Sequence, residues 1–103
     1  MAIAYISEFP IGDRSTENYE FMKEKLAGEK IDGLIFHTAG FDDDNGVWRL
    51  VDVWETRGQA EKFMERMMGM VRPEELPRPD TAAQHPTREA FYELHDLVTS
   101  QPE

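Results

Sequence analysis

The sequence predicts an α+β fold of order βαββαβ, the ferredoxin-like pattern, with one four-stranded antiparallel sheet and two helices on one face. Three observations carry this. Residues 2–9, 33–41 and 47–54 are compact runs rich in branched and aromatic side chains, the composition of strands. Two intervening stretches space their apolar residues helically and carry capping residues. An Asn45-Gly46 pair lies between the second and third runs, and this is a strong hairpin signal.

The elements follow in order. AIAYISEF (2–9) is the first strand, ended by Pro10 and Gly12. Ser15 or Thr16 can cap the first helix, with Glu17 and Glu20 favourable near its positive end. Tyr19, Met22 and Leu26 form its apolar stripe, and Gly28 suits its stop. GLIFHTAGF (33–41) and VWRLVDVW (47–54) are the next strands. Thr56 then caps the second helix, Gln59 completes a capping box, and Ala60, Phe63, Met64 and Met67 make its stripe. Residues 70–88 form a proline-rich loop, long for so small a domain and of the kind used as lids or tails. The stretch 89–98 fits either helical or strand spacing; the strand reading completes the sheet.

Bulk properties narrow the function. With 103 residues the chain is expected to be one domain, residues 1–103, and at that size dimerisation would help it. There are 21 acidic and 11 basic side chains, a formal charge of -10, which argues against nucleic acid and anionic membrane as partners. The absence of cysteine excludes disulfides and thiolate chemistry. No apolar run approaches the roughly 18 residues of a membrane span, and no signal peptide is recognisable, so a soluble cytoplasmic protein is expected.

Asp52 is the misfit, a carboxylate within an otherwise apolar strand, where an isolated charge is costly. A two-residue Asn45-Gly46 turn would pair Phe41 with Leu50, Ala39 with Asp52 and His37 with Trp54. One face would then carry Ile35, His37, Ala39, Phe41, Trp48, Leu50, Asp52 and Trp54. The other would carry Leu34, Phe36, Thr38, Val47, Arg49, Val51 and Val53, and it reads as the helix-covered core. On the first face His37 and Asp52 lie diagonally within reach, and the carboxylate can orient the imidazole and fix its tautomer. A histidine on an apolar strand is more often a hydrogen-bonded structural residue than a catalyst, and Trp48 and Trp54 can be simple packing. No His-rich metal spacing, phosphate-binding loop or serine-nucleophile motif is present, so no metal and no cofactor are expected.

GLIFHTAG, a hairpin, and VDVWET leading into QAEKFMERM resemble the dimeric α+β barrel superfamily, and within it the antibiotic biosynthesis monooxygenase-like domains. The matching features are Gly33 opening the second strand, Trp54-Glu55-Thr56 ending the third and Phe63 on the second helix. The resemblance implies a homodimer in which two sheets close into a barrel through the faces that helices leave bare. It further implies a pocket beside His37, Asp52, Trp48 and Trp54, with Phe41, Tyr5, Ser7 and His95 nearby, and His95 facing the partner's His37.

Some members of that superfamily oxygenate aromatic polyketides without metal or flavin, a chemistry that needs a base and an apolar cavity. The resemblance therefore implies binding of a small apolar or aromatic molecule, with His37 as base, Asp52 as its orienter, and oxygenation without a cofactor as the enzymatic version. A non-catalytic ligand-binding protein and a polyketide cyclase or isomerase are the alternatives on the same barrel. Haem degradation is disfavoured, because the asparagine and histidine it would require are replaced by Tyr5 and Ser7 on the first strand and by no histidine in the second helix.

Overall fold

In a computed structural model, residues 2–78 and 85–98 are described. The chain runs β1 (Ile3–Pro10), α1 (Glu17–Lys25), β2 (Leu34–Asp42), β3 (Val47–Trp54), α2 (Arg57–Met70), a 3-10 turn at Pro73–Glu75, and β4 (Arg88–Glu93). The strands form one antiparallel sheet in the order β2-β3-β1-β4, the ferredoxin-like arrangement. Both helices lie against the same face: the Phe63 ring of α2 meets Trp54 at 5.4 Å, and the Tyr19 ring of α1 meets Trp48 at 5.5 Å.

The helix caps read from sequence form in different ways. Thr56 accepts a hydrogen bond from the Gln59 amide at 3.2 Å and donates its hydroxyl to the Gln59 side chain at 3.0 Å, so α2 starts on a reciprocal pair. Thr16 occupies the N-cap of α1 without a side-chain bond, and Ser15 accepts from the Glu17 amide instead. Gly33 is required where it stands. Its φ is +85, and a Cβ there would collide with the Gln59 carboxamide.

The hairpin differs from the sequence expectation. Among the described residues only Arg14 has positive φ without being glycine, so Asn45 does not adopt the two-residue turn in which both central residues have positive φ. Instead the loop spans residues 43–46, with Gly46 at φ +67. The Asp42 carboxylate accepts from the Asn45 backbone at 3.3 Å and from its side chain at 2.7 Å, which favours the wider turn. The register therefore moves by two residues, and His37 faces Asp52, Ala39 faces Leu50 and Phe41 faces Trp48. A slip of two leaves the side chains from Phe36 onward on their expected faces. At Ile35 a bulge intervenes, so Leu34 rather than Ile35 shares the face of Trp54.

The covered face is the opposite of the one expected. The helices pack on the side of Ile3, Tyr5, Trp54, Asp52, His37 and Trp48, where Ile3, Trp54 and Ala60 form the core cluster, flanked by Leu34, Phe63 and Phe91. The bare side carries a transverse row, Phe36–Val53–Ala4–Tyr92. Its outer aromatics are 40% and 48% exposed, while Val53 and Ala4 between them are buried. Both faces are apolar, so bulk hydrophobicity does not distinguish them, and the larger aromatics went under the helices.

β4 is shorter than expected, ending at Glu93 rather than 98. Its neighbour β1 begins at Ile3, which pairs with Glu93, and a further bond runs from the Leu94 amide to the Ala2 carbonyl. The proline-rich 70–88 stretch contains the 3-10 turn, and its residues 79–84 lie outside those described. Among the described residues no helix is long and apolar enough to cross a membrane.

Candidate functional site

β2 and β3 bring His37 and Asp52 together. They are directly paired, and the imidazole Nδ1 hydrogen-bonds the Asp52 carboxylate. The aspartate side chain is 16% exposed and the histidine 35%, so the pair sits at the edge of the covered face. The partnership removes the isolated-charge problem that Asp52 presents in sequence. The other imidazole nitrogen, Nε2, bonds the Tyr19 hydroxyl at 2.7 Å. Tyr19 stacks on His37 with centroids 5.8 Å apart and 16° between planes, and stands edge-on to Trp48. Burial, then the charges of Glu20 and Asp52, push the Tyr19 hydroxyl pKa above the ordinary tyrosine value.

Tyr19 is also the link to a cleft of about 770 Å³ between the hairpin end of the sheet, the β1–α1 connection, α1 and the segment after α2. The volume suits a drug-sized molecule. Phe9, Phe41, Trp48, Leu50, Met22 and Leu76 give it apolar walls, and Arg14, Asn18, Tyr19 and Arg78 add polar groups. Phe41 and Trp48 form a tilted pair 4.7 Å apart. The β1–α1 connection is pinned to the hairpin: the Ile11 amide bonds the Gly46 carbonyl at 3.1 Å, and Arg14 pairs with Asp43 at 2.5 Å. Arg14 also lies over the Phe41 ring, 4.3 Å from its centroid, and holds φ +63. A side chain held in that left-handed region is a strained feature of the kind that clusters at ligand sites. On the far wall, Asn18 binds the Arg78 backbone at both its amide and its carbonyl, fastening the segment after the 3-10 turn to α1.

The sequence-derived site residues are thus distributed. Phe41 and Trp48 line the cleft. His37 and Asp52 form a pair beside it, one residue removed through Tyr19. Trp54 is 1% exposed in the core, and its indole N–H has no partner among the described residues. Tyr5 packs against Phe91 with the rings tilted and their centroids 4.5 Å apart, and donates its hydroxyl to Glu89 at 2.8 Å; burial, then Glu89, push its pKa up. Ser7 is buried on the same face, opposite Leu50. His95 is exposed beyond the end of β4. Sequence reasoning placed Tyr19 on a helical stripe without seeing its hydroxyl as functional. It missed Arg14, Asn18 and Arg78, for which no local signal exists, since the hydrogen bonds Arg14–Asp43 and Asn18–Arg78 join residues 29 and 60 positions apart.

Across its length the chain superposes on several solved structures. A proposed antibiotic biosynthesis monooxygenase from Chloroflexus aurantiacus matches with TM-score 0.58 at 8% identity, over 96% of this chain and 98% of that one. One of the same description from Deinococcus radiodurans matches with TM-score 0.57 at 13% identity, over 99% and 100%. The fold is that of the antibiotic biosynthesis monooxygenase-like structures. SnoaB, a cofactor-independent oxygenase from Streptomyces nogalater, shares this fold with TM-score 0.53 at 16% identity, over 94% of this chain and 96% of its own. No protein-family model matches the sequence, and no curated protein matches it.

Proposed function

We propose that the cleft binds a small aromatic molecule and that His37, oriented by Asp52, serves as the base of a cofactor-independent oxygenation. The observation that carries this reading is the Asp52–His37–Tyr19 chain of hydrogen bonds ending at an aromatic-walled cleft. The fold shared with SnoaB is consistent with it. Removal of a proton from a ring-flanked CH2 leaves a carbanion that can give an electron to O2. The balanced outcome is CH2 + O2 → C=O + H2O, with the substrate as sole reductant.

Aerobic and anaerobic incubation with a tricyclic anthrone tests the proposal. Oxygen-dependent formation of the quinone is the expected result. Product formation that is equally fast without oxygen would favour a cyclase or isomerase. Ligand binding without turnover, undiminished in His37→Ala, would favour a non-catalytic binding protein.

We further propose that a second copy of the chain covers the bare sheet face. The exposed Phe36 and Tyr92 on that face support this, because large apolar side chains left in water are a liability. Sedimentation should give a dimer that Phe36→Glu converts to monomer. A monomeric parent at micromolar concentration would overturn it.

A further inference from the structure

His37 does not itself line the cleft, and both of its ring nitrogens are already engaged. With a carboxylate accepting from Nδ1–H, Nε2 is left with its lone pair, so the Tyr19 hydroxyl is the donor of that 2.7 Å bond. The Tyr19 oxygen is then the one atom of the chain Asp52–His37–Tyr19 that belongs to a cleft-lining residue. Its ring is fixed from two sides, stacked on His37 and edge-on to Trp48. A bound aromatic molecule lying against Trp48 and Phe41 would therefore meet the phenolic oxygen before the imidazole.

Resting on the base reading above, we infer that Tyr19 is the catalytic residue that touches the substrate, and that it passes the substrate's proton to His37. The substrate class is a fused aromatic carrying an acidic, ring-flanked C–H that is conjugated through the rings to a carbonyl. Its C–H bond breaks, with the electron pair remaining on the substrate as an enolate, and an O–H bond forms at Tyr19. The original Tyr19 O–H bond breaks in the same step, and its proton forms N–H at His37 Nε2. Asp52 faces the resulting imidazolium. Tyr19 begins and ends as a neutral phenol, which suits a hydroxyl whose ionisation is opposed by burial. The apolar walls accept an aromatic molecule without desolvating further charge.

Anaerobic proton–deuterium exchange isolates this step from oxygen chemistry. Dithranol, a dihydroxyanthrone, is incubated in D2O with wild type, Tyr19→Phe and His37→Ala, and loss of its methylene proton signal is followed by NMR. Binding is read separately from quenching of tryptophan fluorescence. Tyr19→Phe keeps the ring and both of its ring contacts, so binding is expected to be unchanged while exchange falls about 10²-fold or more, as it does in His37→Ala. Exchange at the wild-type rate in Tyr19→Phe with loss in His37→Ala would overturn the relay and leave the base pair standing. Loss of binding in Tyr19→Phe would make the hydroxyl a binding group and also overturn it. Failure of the wild type to exceed buffer, or wild-type rates in both variants, would overturn the base reading and this inference together.

Discussion

His37 stands directly opposite Asp52 across the β2–β3 pair, with its Nδ1 on the carboxylate and its Nε2 on Tyr19. Removing the imidazole should lower kcat about 10²-fold or more. Asp52→Asn should lower it less and in the same direction, because the ring stays in place while a neutral carboxamide, whose NH2 can donate to Nδ1, no longer fixes the tautomer or faces the imidazolium with a charge. In both variants KM for an anthrone should barely change, since neither side chain lines the cleft. Steady-state oxygen uptake checks this. A large KM effect with kcat intact would place both residues in binding.

Trp54 anchors the core beneath α2, packed on Ile3, Ala60 and Phe63. Trp54→Ala should destabilise the chain by about 3–5 kcal/mol in urea unfolding. Trp54→Phe should cost less, because it keeps an aromatic against Phe63 and removes a buried N–H that lacks a partner.

Gly33 is held at φ +85 against the Gln59 side chain. Gly33→Ala should destabilise by roughly 1–2 kcal/mol from the left-handed backbone alone, with the displaced Gln59 adding to it. Gln59→Ala in the same background should recover part of the loss, measured as a double-mutant cycle in thermal unfolding.

Tyr5 and Tyr19 both hold raised pKa values, each from burial first. Their folded neutral forms are favoured over the charged ones, while an unfolded tyrosine titrates near pH 10. The stabilisation is therefore complete below about pH 10 and is lost as pH climbs from there through the folded values. The Tm should fall over that alkaline window, and the fall should be shallower in Tyr5→Phe. An identical pH dependence in that variant would contradict the assignment.

Much of this was legible in the sequence, for identifiable reasons. Strand composition, the Thr56–Gln59 cap and Gly33 act locally, so the element order and caps could be read. The shared face of His37 and Asp52 depended on register, and it survived because the turn grew by two residues rather than one. The turn itself was misjudged: Asn45-Gly46 favours a tight hairpin, but the Asp42 side chain captures Asn45 and widens the loop. Which face the helices cover was not legible, since Val53, Ala4 and Phe36 are as apolar as the Trp54 side. Nor was the cleft, whose polar wall depends on Asn18 meeting Arg78 across 60 positions.

The central claim is that the ligand site lies under the helices of one chain, at the Tyr19–Trp48–Phe41 wall. A crystal structure of the protein soaked with a tricyclic anthrone tests it most directly. The rings are expected against Phe41 and Trp48, with an oxygen or the acidic carbon facing the Tyr19 hydroxyl. A ligand seated instead on the Phe36–Val53–Ala4–Tyr92 row, between two copies, would contradict it.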